Sequence, residues 1–242
     1  MGKQVKGTLH MKDTCCRFLE HLRIAVCLVA PIALQACAST AHVNGRSLAE
    51  VRQASVIHVV HYKEGGMSIM TPGSIVGAGL VADATSSTSV PSDAGVLEHK
   101  FGLPDASEEV THRLVEKLKA QGGYNNLAVE PDIATGPVPD DLSVYSRKYP
   151  NSYVLEVGMP LRSLSYGPLA WKTYYFTQWA QARLIRTSDS AILWSGKGGG
   201  LGPKLDVADI RMNSDGVKFT QLFHATLEEC SRQLADQFVA KE

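Results

Sequence analysis

Three stretches decide the fold: Ser152-Tyr-Val-Leu-Glu-Val-Gly-Met159, Thr173-Tyr-Tyr-Phe-Thr-Gln-Trp-Ala-Gln-Ala-Arg-Leu-Ile-Arg186 and Ala191-Ile-Leu-Trp-Ser195. Aromatic and β-branched residues dominate all three, as half-buried strands require. The turn residues Thr187-Ser-Asp-Ser190 separate the second from the third. The spacing predicts an antiparallel meander. Trp171, Trp179 and Trp194 lie in or beside it, so the hairpin that carries Trp179 and Trp194 is the expected centre of the folded domain.

Working outward, Ala54-Ser-Val-Ile-His-Val-Val-His-Tyr62 is a β-branched run and predicts a strand. Asp105 or Ser107 can cap a helix that runs to about Gln121, with Val110, Leu114 and Leu118 on one face. Gly122-Gly123 supplies its stop, a short strand follows at Asn126–Glu130, and Pro131 to Pro150 is a loop rich in Pro and Asp. The chain closes with a helix from about Ser214 to Ala240, whose apolar stripe is Leu222, Phe223, Leu227, Cys230, Leu234 and Phe238. This order predicts an α+β domain over 54–242, with two main helices packed on a mostly antiparallel sheet. Residues 65–97 form a Gly/Ser-rich insert. Its apolar part, Gly73 to Ala82, reads as a mobile loop or short helix, or as a membrane- or oligomer-facing segment in which Gly73 and Gly77 allow close helix approach.

The N-terminal end has another character. Residues 1–23 are polar and mostly basic, and Ile24-Ala-Val-Cys-Leu-Val-Ala-Pro-Ile-Ala-Leu-Gln-Ala36 then runs without a charge. That run is too short to span a bilayer, which takes roughly 20 residues, and Pro31 argues against a buried helix. It fits the apolar core of a signal peptide over 1–36. Leu34-Gln35-Ala36-Cys37 resembles the lipobox of bacterial lipoproteins. The resemblance implies cleavage before Cys37, acylation of the Cys37 thiol and amine with palmitate-type chains, and a lipidated tether over 37–53. Ala38 rather than Asp after the cysteine favours the outer membrane, facing the periplasm. Met11 would give a signal of more usual length than Met1.

Charge and side-chain chemistry narrow the function. The first 36 residues hold five basic and two acidic side chains, leaving 19 basic and 22 acidic, a net charge of −3. A nucleic-acid binder would instead need a basic stripe. Of the cysteines beyond residue 36, Cys37 is committed to lipid and Cys230 reads as a buried thiol, so no internal disulfide is expected. No cofactor or metal is expected. Gly196-Lys-Gly-Gly-Gly-Leu-Gly-Pro-Lys204 lacks the Ser/Thr and following helix of a phosphate loop, and Leu201 stands where a dinucleotide fingerprint needs Gly. It reads as a flexible loop leaving the meander. His58 and His61, three apart on a strand, point to opposite faces. His99, His112 and His224 are scattered, and Gly-x-Ser-x-Gly is absent. Asp140-Asp141 and Glu228-Glu229 read as surface carboxylates. No nucleophile, base and orienter can be placed together, so no catalytic residue is expected.

The hairpin Ala180 to Trp194 resembles one that recurs in envelope lipoproteins: an alternating strand, an Asp/Thr turn, then an apolar pair ending in Trp. It is similar to the periplasmic α/β domains of the curli-secretion-channel lipoprotein and the Tol translocation protein, although Ser190 stands where such turns often hold Gly. The resemblance implies a domain that scaffolds and binds an envelope protein partner. A subunit of a secretion or transport assembly and a periplasmic enzyme are the alternatives.

Overall fold

A computed structural model of the chain describes residues 45–63, 67–70, 94–131, 134–135, 138–167, 170–211 and 214–241. In chain order they form α1 (Gly45–Arg52), β1 (Ile57–Lys63), β2 (Ser68–Met70), α2 (Ala94–Lys100), α3 (Ala106–Gly122), β3 (Leu127–Val129), β4 (Ala134–Thr135), α4 (Ser143–Lys148), β5 (Tyr153–Gly167), β6 (Ala170–Arg186), β7 (Ala191–Asp206), a short 3-10 helix (Val207–Ile210) and α5 (Val217–Val239). The α+β class stands. The sheet runs β3-β1-β5-β6-β7, with β2 added to β5 and β4 to β1. It is mixed: β5, β6 and β7 form the expected long antiparallel meander, while the shorter ladders of β1 with β3, β4 and β5, and of β2 with β5, are parallel.

Local chemistry sets the two main helices. The Asp105 carboxylate accepts from the N–H groups of Ser107 (2.9 Å) and Glu108 (3.2 Å), satisfying donors that the first turn of α3 leaves open. Gly123 ends α3 in the left-handed conformation, at φ 67°. Val110, Leu114 and Leu118 are wholly buried, as their spacing predicts. They meet the stripe of α5 (Phe219, Phe223, Leu227, Leu234 and Phe238) and the inner face of the sheet at Leu155, Val157, Phe176, Leu184 and Trp194. Each such side chain contributes about 1.5–3 kcal/mol through burial.

Four features differ from the sequence reading. First, the end of the stretch read as tether is helix α1, and its Leu48 and Val51 are fully buried in the main core. Second, the proposed insert has structured ends: Met67, just before β2, and Leu97, in α2, are core residues. The Gly73 to Ala82 segment lies outside the described residues, as do the signal segment and Cys37. Third, Gly196 to Lys204 is not a flexible loop but the second half of β7. Helix α5 lies directly on it, so that a side chain at Gly198 would strike the Cys230 carbonyl and Leu234. Glycine in a strand is the mark of such close backbone approach.

Fourth, Trp179 is not in the core. Phe176, Ala180, Ala182 and Leu184 take the helical side of β6, and strand alternation turns Trp179 to the opposite face, where it is 39% exposed. Trp194 is the central tryptophan, 1% exposed and edge-on to Phe238 at 4.8 Å between ring centres.

Candidate functional site

The sheet face away from α3 and α5 is divided into two halves. One half is covered by the segment read as a Pro/Asp-rich loop, which carries α4. Tyr145 and Tyr149 from this segment bury Val60, Tyr62, Val154 and Ile185. Beneath them lies a polar chain of fixed direction. Tyr145 Oη donates to Glu156 Oε2 at 2.5 Å, so Tyr62 Oη, 2.7 Å from Tyr145 Oη, is the donor to it. Arg183 closes the other side of Glu156 with Nε to Oε1 at 2.8 Å and Nη2 to Oε2 at 3.0 Å. Its Nη2 also donates to the Pro139 carbonyl at 2.9 Å. Glu156 is 1% exposed, so this paired geometry is what lets a carboxylate sit there. Burial and the neighbouring Glu156 carboxylate push the Tyr145 phenol far above its ordinary range. These groups satisfy one another and hold α4 on the sheet.

The described residues leave the other half of this face exposed. Leu161 is the register partner of Trp179 across β5 and β6. Trp179 in turn faces Gly199 across β6 and β7, and Thr177 faces Leu201. Leu161, Trp179 and Leu201 are 44%, 39% and 68% exposed. Around them the same face carries Ser163, Thr177 and Gln181, none of them charged. Lys197, opposite Gln181, and Lys204, opposite Tyr175, stand at the rim along β7. This cross-strand apolar cluster is the candidate contact site. The sequence marks neither Leu161 nor Leu201 as exposed apolar surface; Leu201 enters there only as a departure from a glycine motif. The strand alternation that exposes them is legible only once the register and the bulge between Gly158 and Leu161 are known.

The residues weighed for chemistry are dispersed. His58 and His61 do lie on opposite faces. His58 Nδ1 is 2.7 Å from Glu130 Oε1 and its ring stacks on Tyr149 at 4.2 Å. His61 is buried on the helical side, and neither ring nitrogen has a hydrogen-bond partner among the described residues. Burial pulls its pKa below the ordinary imidazole value. Asp141, two residues ahead of the first residue of α4, accepts from the Ser143 N–H at 3.0 Å. Glu228 and Glu229 diverge: Glu228 bridges α5 to Arg113 (2.8 Å) and Lys117 (2.6 Å) of α3, and Glu229 pairs with Arg232 on its own helix. A depression of 380 Å³ between α3 and α5 is lined by such mutually paired charges. Cys230 is buried, and burial pushes its thiol up to about 12. No group of three His, Cys, Asp or Glu side chains among the described residues could hold a metal ion. No described helix is long and apolar enough to cross a membrane.

No protein-family model matches the chain, and no curated protein matches it. Solved structures align with it over most of their length. A DUF330-family protein from Xanthomonas campestris is 14% identical, with 78% of this chain and 87% of that one covered and a TM-score of 0.39. PelC from Paraburkholderia phytofirmans, a dodecamer, is 15% identical, with 74% and 89% covered and a TM-score of 0.30. Lipoprotein GNA1162 from Neisseria meningitidis is 12% identical, with 70% and 93% covered and a TM-score of 0.27. Bacterial lipoproteins are thus among the structures to which this chain is similar.

Proposed function

We propose that this chain is a lipid-anchored lipoprotein of the bacterial envelope. In this reading its folded domain faces the periplasm from the outer membrane, takes no cofactor and works by binding rather than by catalysis. The anchor is the acylated Cys37 that the lipobox implies. The observation that carries the binding role is the cross-strand cluster of Leu161, Trp179 and Leu201, which the described residues leave exposed while α3 and α5 cover the opposite face and α4 the rest of this one. Exposed apolar side chains gathered at one place mark a contact site, whereas scattered ones need no explanation. The likeness of the Ala180 to Trp194 hairpin to those of curli-secretion and Tol components supports the same reading.

Two measurements test it. The mass of the N-terminal peptide from membrane-purified protein should show acyl chains on Cys37, and Cys37→Ala should leave unprocessed, unacylated precursor. Trp179→Asp, at a half-exposed position, should leave the fold intact while weakening the contact, with lipid or with protein, that crosslinking from this face of the wild type captures in cells. Processed, lipid-labelled Cys37→Ala protein would falsify the anchor, and an unchanged crosslinking pattern in Trp179→Asp would remove the contact site.

A further inference from the structure

The exposed apolar face also carries charge. Lys197 and Lys204 border it on β7, and the Lys204 ammonium stands 5.7 Å from the Tyr175 ring centre. The third cation on this face, Arg183, is committed to Glu156. The carboxylate at the far end of the row, Asp206 opposite Thr173, is turned to capping the 3-10 helix, where it accepts from the Ala208 N–H at 2.9 Å. Among its described residues the face therefore carries two outward lysines and, at the end of the row, one carboxylate, Asp206, that is held by its capping bond.

We infer that this face rests on the anionic headgroup surface of the membrane that holds the anchor, an inference that builds on the lipoprotein reading. Three arguments meet here. The first is chemical. An exposed indole with leucines beside it and lysines at the rim suits a bilayer interface, where Trp sits at headgroup level and each nearby lysine is drawn to anionic lipid. The second is reach. Helix α1 begins at Gly45, so the chain from Cys37 to the folded domain is eight residues long, which fully extended spans at most about 29 Å. A domain of roughly 200 residues has a radius of gyration of about 16 Å, so an anchored domain stays within one body-length of the bilayer. The tether supplies the effective concentration that a weak adhesive face needs. The third is size. Three half-exposed side chains fall short of the roughly 800 Å² per partner of a standard protein interface, whereas a tethered face needs only modest adhesion. In this pose the sheet lies toward the lipid and α3 and α5 are presented to the periplasm.

The test uses the full acylated protein reconstituted into vesicles of phosphatidylethanolamine and phosphatidylglycerol, with and without brominated acyl chains. The expected result is quenching of tryptophan emission by the brominated lipid that is largely lost in Trp179→Phe. It should weaken in vesicles of phosphatidylcholine alone and in the Lys197→Glu/Lys204→Glu double variant. Circular dichroism shows that the variants are folded, and the mass of the N-terminal peptide shows that they are acylated. Acylated wild-type protein whose emission brominated lipid does not touch overturns the inference. So does quenching indifferent to the two lysines, or a photo-crosslink from position 179 to a second copy or another protein instead of lipid. Protein found without acyl chains overturns the lipoprotein reading first, so the two failures are told apart.

Discussion

The side-chain amide of Gln237 on α5 closes both backbone groups of Lys197 on β7. The Lys197 N–H donates to Gln237 Oε1 at 3.3 Å, and Gln237 Nε2 donates to the Lys197 carbonyl at 2.7 Å. One turn back, the Gly199 N–H donates to Gln233 Oε1 at 2.9 Å. β7 is the edge of the sheet, and an open edge is a template for pairing with other chains. The two glutamines therefore act as a substitute strand. Gln233→Ala/Gln237→Ala should cost about 1.5–4.5 kcal/mol in total, since each of the three lost bonds contributes roughly 0.5–1.5 kcal/mol. It should also raise the rate of concentration-dependent aggregation, read by light scattering below the melting temperature. A double variant that melts lower yet aggregates no faster would limit the glutamines to a packing role.

The two tryptophans of the hairpin should behave oppositely. Trp194→Ala empties a site that is 1% exposed and should cost about 3–5 kcal/mol. Trp179→Ala, at a position 39% exposed, should cost about 1 kcal/mol or less, in the range of surface changes. Chemical denaturation of the two variants checks the contrast, and equal costs would mean that the register of β6 is misplaced.

His61 makes stability depend on pH. Its folded pKa is depressed by burial, with the nearby Glu108 and Asp105 carboxylates opposing the shift and His112 adding to it. The unfolded chain takes up the proton near the ordinary value of about 6.5 and the folded chain does not. Stability is therefore full above about pH 6.5 and falls as the pH drops from there toward the depressed folded value. His61→Leu should flatten this part of the curve at no cost at neutral pH, because it removes two unsatisfied nitrogens. Urea melts at pH 7.5 and 5.5 read the difference, and an unchanged slope in the variant would assign it to other groups.

Arg183 holds a buried carboxylate. Arg183→Met leaves Glu156 with only the Tyr145 hydroxyl and should cost about 3 kcal/mol at neutral pH. Arg183→Met/Glu156→Leu should recover much of the loss. A double variant no better than the single one would show that the charge was not the problem.

Ser190 occupies the left-handed region at φ 56°, a conformation that suits glycine. Ser190→Gly should raise stability by up to about 1 kcal/mol, or a few degrees in Tm for a domain of this size. A lower Tm would mean that the serine side chain contributes more than its backbone strain costs.

The meander, both main helices and the α+β class were legible because each rests on periodicity: alternation in β6, four-residue spacing in α3, and a stripe in α5. What was not legible depends on which surface meets which. The glycines of β7 read as a loop because nothing in one sequence says that a helix backbone will lie on them. The Pro/Asp-rich stretch hid α4, whose six residues are too short for a periodic signal. Trp179 carried the composition of a core residue, and only the register placed it outside. The candidate contact site follows from that same register, which is why one of its members was named early and for the wrong reason.

Helix α1 gives the domain a mechanical property. Its side chains Leu48 and Val51 are sunk in the core, and Asn126 Nδ2 donates to the carbonyls of Val51 at 3.2 Å and Ala54 at 2.8 Å, pinning the chain where it leaves the helix. A pull from the N-terminal side must first tear α1 from its seat. It then reaches β1, which is laddered in parallel on both flanks, to β3 and β4 on one side and β5 on the other. Tension along that strand loads the ladders together in shear rather than unzipping them one bond at a time. A load applied on the N-terminal side is thus passed to an interior strand of the sheet and resisted on both its flanks, which is what the proposed anchor at Cys37 would require.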